Sequence, residues 1–300
     1  MLKLGLVDCD TSHVVQFSRR LNHRNIEEDQ WVDGATVVAA WSGPSFVLEP
    51  ERIASYVQTL RAEGVTIVDH PEDLIGQVDG VLIESNDGSV HRNRAMPFLE
   101  AGLPVFIDKP FTTSTADARA LLAVAQQRGV PIFSASSLRY ALEIQTLLSQ
   151  SATTGSVLGA DAFSPAVLHT RNPGLFHYGV HAVEMLYALL GPGCQSVRCT
   201  FQNDAEVVIG TWHDGRIGTV RGTRRGPHVY GFTAFCEHRV VPTLVDAHYI
   251  YRELLKRVVD MFTSGRSPLS ATEMLEAVAF QEAAYQSRER GGAVIALPDS

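Results

Sequence analysis

Short apolar runs alternate with stretches of helical period over the first part of the chain. Leu2–Val7, Thr36–Trp41, Val65–Val68, Gly80–Ile83, Val105–Ile107 and Val130–Phe133 read as strands. Between them lie helical segments at His13–Asn22, Glu51–Glu63, His91–Ala101 and Thr115–Arg128. The second of these carries Ile53, Val57 and Leu60 at helical spacing, and the last has a well-marked start and stop. Ser114 or Thr115 can cap it, and Gly129 closes it ahead of Pro131. A uniform strand–helix rhythm of this kind predicts a Rossmann-type doubly wound parallel sheet over residues 1–136.

The rhythm changes after Arg139. Val157–Leu168 is strand-like, and Gly174–Leu190 reads as one helix ended by Gly191-Pro192-Gly193. Glu206–Trp212 and Arg216–Arg221 flank Asp214-Gly215, a turn whose residues tolerate positive φ, and Val229–Glu237 adds another strand. Helices over Tyr249–Thr263 and Thr272–Arg288 follow. Residues 137–300 are therefore expected to form an α+β domain with a largely antiparallel open sheet. No internal repeat or low-complexity segment interrupts either part.

Composition narrows the class. Three hundred residues allow two domains with their own cores, and 45% hydrophobic residues are those of a globular chain. A formal net charge of −8, with no basic run, argues against nucleic-acid or anionic-membrane partners. Cys9, Cys194, Cys199 and Cys236 form no CxxC pair and are expected as reduced thiols rather than disulfides or a zinc site. The amino terminus runs straight into a strand without a signal peptide, and no apolar stretch is long enough to span a bilayer, so a cytoplasmic location is expected.

Two constellations carry candidate chemistry. Asp108-Lys109-Pro110 follows a buried strand, at the sheet edge where ligands gather in open α/β folds. A lysine there can hold a substrate hydroxyl or tune a proton transfer; it can equally be a surface lysine paired to its neighbouring aspartate. On a helix, His177, His181 and Glu184 share a face. The imidazoles suit a base for an alcohol proton, the trio suits a divalent metal, and both histidines can also be merely hydrogen-bonded.

Asp108-Lys109-Pro110 resembles the Glu-Lys-Pro signature of the Gfo/Idh/MocA oxidoreductases, the family of glucose–fructose oxidoreductase and inositol dehydrogenase. The order of features from Val81 to Tyr140 is similar to that family's core: Ser85-Asn86-Asp87, then His91, Ala101-Gly102, the signature strand and Ser137-Leu138-Arg139-Tyr140. The tail over residues 264–297, with Ser-Gly-Arg-Ser-Pro and a helix through Glu273-Met274-Leu275-Glu276-Ala277, is similar too. The resemblance implies an NAD- or NADP-binding Rossmann domain and a second domain whose open sheet assembles a homodimer or homotetramer. It also implies hydride transfer to or from a sugar, cyclitol or other polyol derivative. Lys109 matches the family lysine that orients the oxygen, His181 the family histidine that acts as base, and His177 stands where an aspartate is expected. The implied cofactor-binding positions are Asp8, Asp10, Thr11, Ser12, His13, Ser42, Ser85, Asn86, His91, Asp108 and Lys109; Arg171, Asn172 and Tyr178 are offered to the substrate, and no metal ligand is assigned. His91 either faces the nicotinamide side or caps its helix.

The sequence departs from the pattern at the phosphate loop. A dinucleotide site wants Gly-x-Gly-x-x-Gly, whereas Asp8-Cys9-Asp10-Thr11-Ser12-His13 stands here. Two carboxylates would repel a diphosphate by on the order of a kcal/mol each. Either Thr11, Ser12 and the helix amino terminus supply donors in an altered loop, or the site is lost and the chain is a redox-silent sugar-binding or regulatory protein. A third reading is a metal-dependent lyase or isomerase built on His177, His181 and Glu184. Asp10 can also simply cap the first helix. Trp41-Ser42-Gly43-Pro44 replaces the acidic residue that binds the adenosine ribose; a serine there is compatible with a 2′-phosphate, but no arginine follows closely.

Overall fold

A computed structural model of the chain describes residues 1–298. The described residues divide into two compact units: 1–112, 116–135 and 251–269 form the first, and 113–115, 136–250 and 270–298 the second. The chain thus passes between units repeatedly rather than once near residue 136.

The first unit is a six-stranded sheet of β1 (Leu2–Val7), β2 (Ala35–Trp41), β3 (Thr66–Val68), β4 (Gly80–Ile83), β5 (Val105–Ile107) and β6 (Ile132–Ser134). Its order is β3-β2-β1-β4-β5-β6, and every pairing is parallel. Helices α1 (His13–Asn22), α2 (Pro50–Ala62), α3 (His91–Glu100) and α4 (Thr115–Arg128) connect the strands. The last four residues of β1 and all of β4 and β5 are buried, as a sheet covered on both faces demands. The order reverses between β1 and β4, which is where such sheets hold ligands. Two short helices, α5 (Leu142–Ser149) and α6 (Ser151–Thr154), follow in the chain and belong to the second unit.

The second unit has a seven-stranded sheet of β7 (Val157–Pro165), β8 (Cys194–Gln202), β9 (Ala205–Trp212), β10 (Ile217–Thr223), β11 (Gly231–Cys236), β12 (Val240–Leu244) and β13 (Ile295–Ala296). The order is β12-β11-β7-β10-β9-β8-β13, antiparallel except for the parallel pair β10 and β7. Alternation along β9 and β10 buries one face and leaves the other open, with Ile209 43% and Ile217 56% exposed. The buried face carries α7 (Val180–Leu190), apolar nearly all round, and α9 (Ala271–Glu289). Trp212 and Phe232 are buried within this core.

Three sequence expectations change here. The single helix over 174–190 is a 3₁₀ turn at Gly174–Phe176 followed by α7. Gly174 takes φ +59°, which a right-handed helix excludes, and at Gly179, the N-cap of α7, a Cβ would lie 2.5 Å from the Leu175 side chain. The strand expected to run to Leu168 stops at Pro165. β8, β12 and β13 were not read from the sequence; β8 interleaves Gln195, Arg198 and Thr200 with its buried positions and presents no continuous apolar run.

Helix α8 (Ile250–Ser264) belongs largely to the first unit, where Phe262 packs against the start of β4. A Cβ on Gly80 would lie 2.4 Å from the Phe262 ring, closer than any real contact. Gly80→Ala should therefore lower stability by about 1–3 kcal/mol. Urea unfolding measures it, and Phe262→Leu in the same chain should recover part of the loss.

Candidate functional site

The carboxyl edge of the parallel sheet gathers most of the expected cofactor positions in the first unit. Asp8 follows β1 and takes φ +66°, the left-handed conformation a glycine would supply. Its Oδ2 accepts from the Ser85 hydroxyl and from Nε of Arg94 at 2.8 Å. The Arg94 guanidinium lies over the Trp41 ring, 4.7 Å from its centre. The sequence shows no arginine near Trp41-Ser42; the fold brings one from α3, across the top of β1. Gly43 lets the loop after β2 close on this pair, since a Cβ there would lie 2.1 Å from Asp8 Oδ1.

Asp10 accepts from the backbone N–H of Asn86 at 2.8 Å and from the Ser45 hydroxyl at 2.6 Å. Burial pushes its carboxyl up, and those two bonds oppose the shift. The expectation that Asp10 caps α1 is corrected: Ser12 is the N-cap residue and no side chain caps the helix. Thr11 is buried, with its hydroxyl 3.4 Å from the His13 amide. Ser42 sits half-buried at the end of β2. Between them Cys9 is buried, its thiol pushed up to about 12 by burial and by the Asp8 charge.

His13 stands where the third glycine of a dinucleotide motif belongs. Its Nδ1 lies 2.7 Å from Asp108 Oδ2 and its Nε2 3.1 Å from the Tyr251 hydroxyl. Lys109 Nζ lies 3.6 Å from the same Asp108 oxygen. Burial alone would raise the Asp108 carboxyl, but the His13 and Lys109 charges outweigh it and hold it below the usual carboxylate range. Glu84, just past β4, is wholly buried, and neither of its oxygens has a hydrogen-bond partner in the protein. Burial first, then the Asp108 charge, hold its carboxyl well above the ordinary value. His91 is also fully buried, its Nε2 2.7 Å from the Ser85 carbonyl and its Nδ1 2.8 Å from that of Pro110. It does not cap α3, whose N-cap is Val90; it ties the loop after β4 to the loop after β5.

These residues fit a dinucleotide in one respect that matters. Asp8 already holds the glycine-like turn, and the α1 amino terminus has no side-chain cap, so its N–H groups suit a diphosphate. The two carboxylates are engaged by Ser85, Arg94, Ser45 and Asn86, and Arg94 adds a positive charge to the same loop cluster. Thr11, Ser12 and the backbone at Asp10 are the groups that would hold the phosphates.

In the second unit, His181 sits in the first turn of α7 with Nδ1 2.6 Å from Ser136 Oγ. That oxygen also accepts from the Leu138 amide at 3.1 Å, which opens a 3₁₀ turn at Ser137–Tyr140. The Tyr178 and Tyr230 rings flank the imidazole edge-on at 5.9 and 5.4 Å. His177 precedes α7 and stacks near His169, 5.2 Å between ring centres, so the expected shared helix face with His181 and Glu184 does not form. Glu184 is instead taken by Arg139 at 3.0 Å, and Arg139 also pairs with Glu273. Burial still leaves the Glu184 carboxyl raised. Arg171 is exposed and Asn172 wholly buried, while Tyr178 is 40% exposed. Ser136, Arg94, Glu84 and Tyr251 were missed by sequence reasoning: Ser136, Arg94 and Tyr251 reach their partners across 45 residues or more, and no local spacing announces any of the four.

A family profile described as "Oxidoreductase family, NAD-binding Rossmann fold" matches residues 46–136. No curated protein matches the chain in sequence. Among solved structures, a probable dehydrogenase from Thermotoga maritima superposes with TM-score 0.79 at 18% identity, covering 99% of each chain. Myo-inositol dehydrogenase from Lactobacillus casei, solved with NAD(H) and myo-inositol, gives 0.79 at 14% identity over 100% of this chain and 98% of that one. Myo-inositol 2-dehydrogenase from Lactobacillus plantarum gives 0.81 at 14% over 99% of each. At such identities the likeness establishes the fold. Among the described residues no helix is long and apolar enough to cross a membrane.

Glu84 provides a test of the electrostatics. A carboxyl raised in the folded state is still protonated there when it has already ionised in the unfolded chain, so it makes stability fall as pH rises from the unfolded value of 4.5. Glu84→Gln should flatten that slope and stabilise chelator-treated protein above pH 5 by about 1–3 kcal/mol. Chemical denaturation between pH 5 and 8 measures both effects.

Proposed function

We propose that the chain is an NAD(P)-dependent dehydrogenase or reductase of a sugar, cyclitol or related polyol, of the kind its resemblance to the Gfo/Idh/MocA oxidoreductases and the match of residues 46–136 to an NAD-binding Rossmann oxidoreductase profile support. The observation that carries this reading is Lys109, partly buried beside Asp108 at the carboxyl end of β5, inside the matched segment. The inositol dehydrogenases of similar fold support the substrate class.

Bound at the edge of the first sheet, the dinucleotide supplies the hydride acceptor or donor. The Lys109 ammonium donates to the substrate oxygen and stabilises negative charge as the alcohol loses its proton. Asp108 keeps that lysine in place and the local charge balanced. His181 is the base. With Nδ1–H donating to Ser136 Oγ, the basic nitrogen of that tautomer is Nε2. Tyr178 and Arg171 are offered to substrate hydroxyls, and His177 supports the Tyr178 ring in place of the family aspartate. The open sheet face, with Ile209, Ile217 and Phe235 exposed, is proposed to pair with a second copy of the chain. The four free buried cysteines support a cytoplasmic setting.

Calorimetric titration with NAD⁺, NADH, NADP⁺ and NADPH tests the proposal, and no binding by any of them at millimolar concentration would reject it. With a polyol substrate in hand, Lys109→Ala and His181→Asn should each lower kcat/KM by about 10²–10⁴-fold. Ser136→Ala should lower kcat roughly 3- to 10-fold with little change in KM, the worth of one orienting hydrogen bond.

Light scattering on the eluting protein should show a dimer or tetramer. Ile209→Asp with Ile217→Asp should reduce that mass without unfolding the chain, because both positions face away from the core.

A further inference from the structure

At the carboxyl edge of the first sheet both carboxylate oxygens of Glu84 and Oδ1 of Asp108 are buried without a hydrogen-bond partner in the protein, as is Oδ1 of Asp8 on the loop after β1. Glu84 and Asp108 are 0% and 1% exposed. Beside them stands the His13 imidazole, and ligand atoms of His13, Glu84 and Asp108 all lie within 4.8 Å of one another. We infer that these three side chains form a site for one divalent transition-metal ion of the zinc or manganese class.

The chemistry of the cluster selects that ligand. A proton shared between the two carboxyl groups satisfies one donor and one acceptor and leaves a third oxygen unmet. A doubly charged ion neutralises both carboxylates and can take an oxygen from each together with an imidazole nitrogen. One nitrogen and carboxylate oxygens suit zinc or manganese; magnesium holds several of its waters and is poorly served by a buried site. Calcium wants six or more oxygens, which the cluster does not supply.

The surroundings are arranged for such an ion. With Nδ1 turned to the metal, His13 keeps Nε2–H toward the Tyr251 hydroxyl, now 3.1 Å away, the outer partner a metal-bound histidine requires. The Phe17 ring stacks on the imidazole with centres 5.0 Å apart and limits its rotation. Asp108 offers Oδ1 to the ion and keeps Oδ2 for Lys109. His13 gives up its present bond to Asp108 Oδ2, a shift within a cluster already this compact. The carboxylate of Asp10 and the ammonium of Lys109 are the other charges that face Glu84. The inference does not depend on hydride transfer, since binding of the ion is measured with no dinucleotide present.

Protein purified without an affinity tag and stripped with chelator is dialysed to equilibrium against ZnCl₂ or MnCl₂, and bound metal is determined by elemental analysis. About one ion per chain is expected, with Glu84→Gln and His13→Gln each binding at least tenfold more weakly and Tyr251→Phe about 10- to 100-fold more weakly. The half-buried histidines His169 and His177, with ring centres 5.2 Å apart, are the control for adventitious zinc, so His169→Ala with His177→Ala should bind as wild type does. Cobalt(II) as a probe should give visible ligand-field bands in wild type that His13→Gln abolishes. Circular dichroism establishes that each variant is folded; should Glu84→Gln fail to fold, His13→Gln decides. No ion bound by wild type overturns the inference. So does undiminished binding in the folded Glu84→Gln and His13→Gln variants, or loss of binding in the His169/His177 double variant.

Discussion

A carboxylate taken out of water obliges the fold to bring it a donor or a cation, and the carboxyl edge of this parallel sheet buries several of them. Asp8, Asp10, Glu84 and Asp108 follow β1, β4 and β5, and the neighbouring loops are arranged around their needs. Arg94 leaves α3 to reach Asp8, Ser45 turns the loop after β2 toward Asp10, and the Asn86 amide is fixed by the same carboxylate. Asp108 holds His13 on one side and Lys109 on the other through a single oxygen. Removing one partner of a buried pair costs about 3–5 kcal/mol, several times the on-the-order-of-a-kcal/mol repulsion each carboxylate would exert on a solvated diphosphate. The internal pairing therefore decides where the acidic groups point, and the approach of a ligand is the smaller perturbation.

The same constraint explains why the loop keeps its shape without glycine. Asp8 holds φ +66°, a conformation that costs a side-chain-bearing residue roughly 1–2 kcal/mol, and aspartate is among the few types that visit it. The bond from Ser85 and the Arg94 ion pair more than offset that cost. The crossover from β1 to α1 thus retains the geometry of a phosphate loop, and the α1 amino terminus stays without a side-chain cap. What distinguishes this loop from the glycine-rich kind is the set of side chains standing on it.

The parallel half of the fold was legible because its signal is local. Six apolar runs separated by helical stretches need only periodicity to be read, and each begins and ends within one or two residues of the observed strand. The second sheet was less legible. β8 mixes arginine and glutamine into its alternation, and the helix expected over 174–190 begins instead with a glycine at positive φ and a 3₁₀ turn. The candidate site divides in the same way. Asp108-Lys109 could be placed because a strand end is a local feature, whereas His177, His181 and Glu184 were grouped by a helical spacing that the break at Gly179 removed. Their true partners, Ser136 for His181 and Arg139 for Glu184, lie 45 residues away.

Where sequence and family pattern disagree, the disagreements turn out to be one arrangement rather than several. Asp8, Asp10 and His13 replace three glycines, and read along the chain they look like the erosion of a motif. In space each acquires a different partner: Arg94 with Ser85, Ser45 with Asn86, and Asp108 with Tyr251. His13 in turn joins the oxygen that holds Lys109, so the residue most foreign to a phosphate loop is linked to the residue most characteristic of the expected chemistry. A drifting loop would leave substituted charges to solvent, where their average cost is small. Here they are buried and paired. The one exception is Glu84, whose two oxygens go unmet beside Asp108, and it is the group through which the edge of the sheet can take up a further cation.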